Sequence, residues 1–309
     1  MRNHVIARIA ELAQTDKRVM LLTADLGFNV VNIFSGKYPD RYINVGIAEQ
    51  NMTSIAAGLA LEGNMVFTYS IGNFPTLRCI EQIRNLVCYH NANVKILAVG
   101  GGFAYGSLGM THHATEDIAM MRSLPNMKVY VPSDEIEAVA CLNEIYWEDG
   151  PAYLRMARGK EECIHFKGDK FDINKLVKIE GNEFNICILA SGTILSEAVK
   201  VKKALENYGV HGSVYSVPRI KPIDSKGILD LAKKAQLIIT MEEHNIIGGL
   251  GGAVAELLSS LKEHAPLLRF GLSDVFTGEV GSQTYLREYY GLSSDKVIDK
   301  IIHHLNVEV

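Results

Sequence analysis

The sequence has no surplus of positive charge, no cysteine pair spaced to hold a metal, and no long apolar run. Its 31 Lys and Arg residues stand against 35 Asp and Glu, a formal net charge of −4. A weakly acidic chain lacks the electrostatic footprint of a protein that binds nucleic acid or an anionic membrane surface. The five cysteines, Cys79, Cys88, Cys141, Cys163 and Cys187, are odd in number, scattered, and never spaced as Cys-x-x-Cys. That pattern excludes a disulfide framework and a cysteine zinc site, and it fits a reducing cytoplasm. No apolar stretch approaches the ~18 residues that a membrane-spanning helix needs. The opening segment carries Glu11 and no apolar core followed by a small-residue cleavage site, so it does not read as a secretory signal. Internal repeats and low-complexity tracts are absent too. What is present is material for packed cores. Of 309 residues, 48% are hydrophobic and 21% charged, which excludes disorder of the whole chain. At roughly 150 residues per domain, the length points to two domains.

Apolar runs alternate with helical periodicity almost throughout. Helical spacing covers 4–14, and short apolar strands are expected at 19–23, 42–45, 65–69, 94–99 and 128–131. Between them lie a small-residue helix ending near Leu61 and helices at 77–89, 115–123 and 134–147. A charged, glycine-containing stretch at 158–183 breaks the pattern and reads as a linker. A second series follows, with strands at 185–190, 212–217, 237–241 and 267–271. Its helices are expected at 194–207, 224–233, 250–262 and 283–289. This alternation predicts an α/β protein of two domains, each a mainly parallel sheet flanked by helices. The expected boundaries are 1–165, a linker at 166–183, and 184–309.

Four segments carry candidate chemistry. Glu49 opens a helix directly after a strand, where α/β folds place ligands. A first-turn glutamate can equally do no more than complement the helix dipole. Its neighbours Ile47, Ala48, Met52 and Ile55 are apolar, however, and burial among them would raise its pKa towards proton-sharing chemistry. The glycine loop Gly100–Gly109 is followed by Thr111-His112-His113. Glycines permit close backbone approach to a ligand, but a plain turn has the same composition. Adjacent histidines do not share a helix face, which argues against a two-histidine metal site. Gly248-Gly-Leu-Gly-Gly252 has the wrong spacing for a dinucleotide fingerprint, and tight helix–strand packing explains it as well. Asp25-Leu26 stands at a strand end, a common junction and a possible ligand edge.

In order and spacing, these and further segments resemble the C-terminal two-thirds of transketolase and of 1-deoxy-xylulose-5-phosphate synthase. The matching stretches run from Thr23-Ala-Asp25-Leu26 through Gly46-Ile-Ala-Glu49-Gln to Phe74, Arg78 and Glu81-Gln-Ile-Arg84-Asn. They continue with Gly109-Met-Thr111-His112, Val131-Pro-Ser-Asp134 and Asp149-Gly-Pro-Ala-Tyr-Leu-Arg155. The last are Ile220-Lys-Pro-Ile-Asp224 and Glu242-Glu-His-Asn-Ile-Ile-Gly-Gly. The resemblance implies thiamine diphosphate as cofactor, shared between this pyrimidine-binding half and a separate subunit. That partner, an N-terminal-half transketolase subunit, would carry a Gly-Asp-Gly motif and hold the diphosphate through Mg2+ or Ca2+. No Gly-Asp-Gly occurs in this sequence, and the chain opens at the helix that would follow the diphosphate domain. The expected assembly is an alpha2beta2 heterotetramer acting on sugars.

The resemblance also implies roles. Glu49 would bond the ring nitrogen of the aminopyrimidine, Phe74 would stack on that ring, Leu26 would wedge beneath the cofactor, and Asp25 would lie close by. His112 would face the substrate and assist proton transfers, with His113 beside it in a substrate-binding position. Arg158 matches a phosphate-binding arginine, and Arg2 a second. Three expected substrate contacts are missing, since Leu108, Gly100 and Asn29 stand where an aspartate, a histidine and a serine would be. That implies a more open pocket and an unusual ketose, or a sugar carrying a larger group such as a nucleotide. The expected activity is transfer of a two-carbon ketol unit from a ketose donor to an aldehyde acceptor. The alternatives are a beta-type subunit of a 2-oxo acid dehydrogenase or pyruvate-decarboxylating synthase, a catalytically silent scaffolding subunit, and a nucleotide-binding module.

Overall fold

Short, almost uninterrupted runs of Val, Ile and Leu suit strands covered on both faces, and such strands form parallel sheets. In the computed structural model, which describes residues 1–159 and 161–306, these runs become the central strands of two sheets. The first sheet uses β1 (Val19–Thr23), β2 (Tyr42–Asn44), β3 (Met65–Ile71), β4 (Val94–Val99), β5 (Lys128–Tyr130) and β6 (Ala152–Met156). The second uses β7 (Val177–Glu180), β8 (Ile186–Ser191), β9 (Gly212–Ser216), β11 (Leu237–Asn245) and β12 (Leu267–Leu272). A short strand, β10 (Arg219–Lys221), comes from the second half of the chain.

The strand order of the first sheet is β10-β5-β6-β4-β3-β1-β2. All its pairs are parallel except β10 with β5. The chain therefore leaves β1 in one direction for β2 and returns to build outward in the other from β3. The crevice beyond the carboxyl ends of β1 and β3 is such a reversal point, where open α/β sheets hold their ligands. The second sheet runs β12-β11-β8-β9-β7 and is parallel except for its edge strand β7.

The expected α/β class holds, and several boundaries shift for physical reasons. β7 lies inside the stretch read as linker, so the second sheet begins at Val177 rather than at 184. Its charged residues sit at a sheet edge and could not mark it as a strand. β11 continues past Met241 through Glu242, Glu243 and His244, all buried. Apolar patterning missed this extension because their polar groups are paired with other parts of the chain. The region expected as one helix at 77–89 is a 3-10 turn at Leu77–Cys79, one helical turn, and a π-helix at Ile83–Cys88. β6, β10 and the helix Ser294–Leu305 were not foreseen.

The two halves are tied by buried charge as well as by β10. The Glu243 carboxylate accepts from the Phe103 amide at 2.6 Å, from Gln283 at 2.9 Å and from Arg287. Arg155 of β6 donates to Asp117 at 2.8 Å, and to the carbonyls of Ala114 and Glu243. The connecting segment is pinned by His165, whose Nδ1 lies 2.8 Å from Asp134, the N-cap of the helix Glu135–Trp147. Burial works against the Asp134 carboxylate, yet the His165 ring and backbone amides hold its pKa at about 2. Burial likewise opposes His165⁺, but the carboxylates of Asp134 and Glu137 raise its pKa above the ordinary value.

A raised histidine stabilises most below its unfolded pKa of 6.5 and loses that contribution as the pH climbs past its folded value. His165→Ala is therefore expected to cost about 1–3 kcal/mol at pH 6. The deficit should shrink at pH 9, as denaturant unfolding of both proteins at the two pH values would show.

Candidate active site

The site grows from the ends of β1, β2 and β3. After β1 the chain turns sharply at Asp25, which has a left-handed φ of +54°. A non-glycine residue there costs about 1 kcal/mol and persists only where its surroundings impose it. Asn44, at the end of β2, imposes it. Its side-chain oxygen accepts from the Asp25 amide at 2.9 Å and from the Gly46 amide at 3.1 Å. One asparagine thereby fixes both the Asp25-Leu26 turn and the approach to Glu49.

Glu49 is the first residue of the helix Glu49–Leu61 and only 3% exposed. One carboxylate oxygen accepts from the Arg78 guanidinium at 2.8 Å. The other makes no hydrogen bond among the described residues. Part of the expected apolar surround is real, since Met52 is buried, whereas Ile47 is 81% exposed and points away. Arg78 rather than a hydrocarbon shell is what Glu49 meets. The same guanidinium lies over the Phe74 ring, 4.7 Å from its centroid. Arg78 had been read only as part of a matching segment, and no spacing rule links it to Glu49.

Phe74 is partly exposed and meets His112 edge-on at 5.2 Å. The His112 Nδ1 lies 3.0 Å from the Thr111 hydroxyl. Burial, and then the neighbouring His113, push the His112 pKa down. That shift favours the neutral ring. Beyond it stand Tyr105, at 6.3 Å between ring centroids, and then Arg158, whose guanidinium lies 4.9 Å from the Tyr105 centroid. Arg2, half-buried at the start of the first helix, and Tyr105 both act on the Tyr69 hydroxyl, whose pKa burial pushes up to about 12.

Two expectations concern the space beside His112. His113 is not exposed, although its ring borders the cleft between Leu77, Met110 and Phe276. It is buried, with one ring nitrogen 2.8 Å from the Thr277 hydroxyl and the other 3.1 Å from the Gly106 carbonyl. The short 3-10 turn Met110–His112 sends the two histidines in different directions. Nor is the pocket opened by the missing side chain at Gly100. A Cβ there would fall 2.1 Å from the Tyr105 ring, which occupies that volume. The loop at 248–252 is packing, as its composition allowed. Its Leu250 and Gly251 amides are satisfied by the buried Glu242 carboxylate.

The mouth of the site is unusually apolar. Phe28, Ile47, Leu77, Met110 and Phe276 are all exposed. A cleft of about 160 Å³ lies between Leu77, Met110 and Phe276.

Family models match in two blocks, the transketolase pyrimidine-binding domain over residues 1–161 and the transketolase C-terminal domain over 176–297. The chain belongs to the transketolase family. Within the family it is 37% identical to a putative transketolase C-terminal section of Methanocaldococcus jannaschii, covering 100% of this chain and 97% of that one. It is 36% identical to a 6-deoxy-6-sulfo-D-fructose transketolase subunit of a Clostridium species, covering 96% and 92% respectively. A split-gene transketolase solved as an inactive beta4 tetramer superposes with a TM-score of 0.88 at 33% identity, over 100% of this chain and 98% of that one. This transketolase chain therefore matches half-enzymes along nearly their whole length.

His113→Ala separates a buttress from a substrate contact. It is expected to lower unfolding stability by about 1–3 kcal/mol by orphaning Thr277 and Gly106. The KM for sugars should stay within about threefold. A large KM change at unchanged stability would restore the substrate-binding role.

Proposed function

We propose that this chain is the pyrimidine-binding half of a two-component, thiamine-diphosphate-dependent transketolase that moves a two-carbon ketol unit from a ketose to an aldehyde. The observation that carries the reading is Glu49, buried at the sheet's reversal point beside Phe74 with one carboxylate oxygen uncommitted. The residues present fit the aminopyrimidine end of the cofactor. Glu49 offers an acceptor for a ring nitrogen, Phe74 an aromatic face, and Leu26 a half-buried apolar edge. They do not by themselves supply its other end. Among the described residues no group of three or more His, Cys, Asp or Glu side chains could hold a metal ion.

When bound, the cofactor supplies the nucleophilic carbon and electron sink for breaking a carbon–carbon bond next to a ketone. The chain's own residues do the rest. Glu49 holds a proton at the pyrimidine nitrogen, and Arg78 fixes the carboxylate in place. Phe74 orients the ring through stacking that contributes about 1 kcal/mol beyond burial. His112, whose surroundings favour the neutral ring, takes and returns protons at substrate hydroxyls. Arg158 and Arg2 attract the far end of an anionic sugar. A related subunit acting on a sulfonated fructose supports an anionic sugar other than a common pentose phosphate.

The partner we assign is an N-terminal-half subunit with a Gly-Asp-Gly motif that grips the diphosphate and its Mg2+ or Ca2+, in an alpha2beta2 assembly. The exposed Phe28, Ile47, Leu77 and Phe276 around the site are the surface such a subunit would cover. We place the enzyme in the cytoplasm, in keeping with its free cysteines. No described helix is long and apolar enough to cross a membrane.

Mixing the chain with such a partner, thiamine diphosphate and Mg2+ should yield ketol transfer, and Glu49→Ala should reduce it about 10²–10⁴-fold. Undiminished turnover in Glu49→Ala would make the chain a scaffold. CO₂ release from pyruvate in place of ketol transfer would make it a decarboxylating subunit.

A further inference from the structure

Phe74, His112, Tyr105 and Arg158 form a row. Successive separations are 5.2 Å, 6.3 Å and 4.9 Å, the last from the guanidinium carbon to the Tyr105 ring. The first two residues belong to the reacting end of the site, and the last is an exposed cation at its outer end. The Tyr105 ring thus links Arg158 to the His112 end of the site. Tyr105 is only 7% exposed, and its ring is held by the core. The ring fits there because residue 100 is glycine, which also satisfies a φ of +93° that other residues rarely adopt. The wall and the missing side chain are thus one feature.

We infer that Tyr105 is a specificity-determining residue, whose ring serves as the platform that aims Arg158 at a tetrahedral oxyanion on the far end of the sugar. The inference rests on the ketol-transfer reading and deepens it. A guanidinium free in water samples many rotamers, and ordering it on binding costs free energy. Stacked on an aromatic face it is already placed, and the ring quadrupole attracts it even at an exposed site. Sulfonate and phosphate share the oxyanion chemistry that Arg158 recognises. With residue 100 lacking a side chain, Arg158 is the cation stacked on Tyr105.

The test uses the full chain reconstituted with its partner. Three donors are compared, namely a ketose ending in sulfonate, one ending in phosphate, and the same ketose with a terminal hydroxyl. Tyr105→Leu keeps apolar volume in the core but offers no face to Arg158. It is expected to raise KM for one or both anionic ketoses about 2–5-fold. Its kcat should stay within about threefold, and KM for the neutral ketose should not move. Tyr105→Phe keeps the ring and should behave as the parent. The anionic arm that moves more identifies the natural end group. Equal KM changes for all three donors, no change in any, or a Tyr105→Phe that behaves like Tyr105→Leu would overturn the inference. If the parent pair transfers no ketol unit, the function reading fails separately. The Tyr105 inference is then decided by calorimetric Kd values for the same three sugars on the same mixed pair.

Discussion

The site depends on a buried carboxylate held at the first turn of a helix by a single guanidinium. Glu49 is at the point where the strand order reverses, so the sheet itself delivers it to the crevice. A buried carboxylate left without a partner is costly, and here the partner is the half-exposed Arg78. Arg78 offsets that cost through one carboxylate oxygen and leaves the other for a ligand. By lying over Phe74, the same guanidinium sets the aromatic wall in fixed relation to the acid. Acid, ring and cation thus form one unit built from β2, β3 and the irregular helix that follows. The left-handed Asp25 belongs to the same construction, since Asn44 anchors both its turn and the entry to Glu49.

The second half of the chain acts on this unit at a distance. Glu243 reaches out of β11 to hold the Phe103 amide in the glycine loop, and Thr277 receives His113 from the turn that carries His112. The glycine loop and the turn after it are therefore clamped from behind by the C-terminal half. That division matches the pairing of Glu243, Arg155 and His113 deep between the halves and the exposure of the apolar residues at the mouth. Charge is used to fix the two halves of this chain to each other. Exposed hydrocarbon is kept for the surface that a second subunit would cover.

Much of this was legible in the residues. Alternating apolar runs specified two parallel sheets, and the order of short motifs placed Glu49, Phe74 and His112 in one site. What stayed hidden involves contacts between segments far apart in sequence. Arg78 meets Glu49 only after β3 and the following turn have folded back. Adjacent histidines look alike in a sequence, yet a three-residue turn turns one outward and buries the other. Gly100 read as a loss that would open the pocket, because nothing local shows that Tyr105, five positions on, fills the same space. β11 was cut short because buried glutamates resemble surface residues until their partners are known. β7 was lost in a charged stretch, since edge strands do not need an apolar face on both sides.

The central claim is that this chain holds one end of a cofactor whose other end belongs to a different polypeptide. Calorimetric titration with thiamine diphosphate and Mg2+ tests it most directly, first on the chain alone and then on the chain mixed with its N-terminal-half partner. The account predicts no saturable binding to the chain alone and stoichiometric binding to the mixture. Tight, metal-dependent binding to the isolated chain would contradict it.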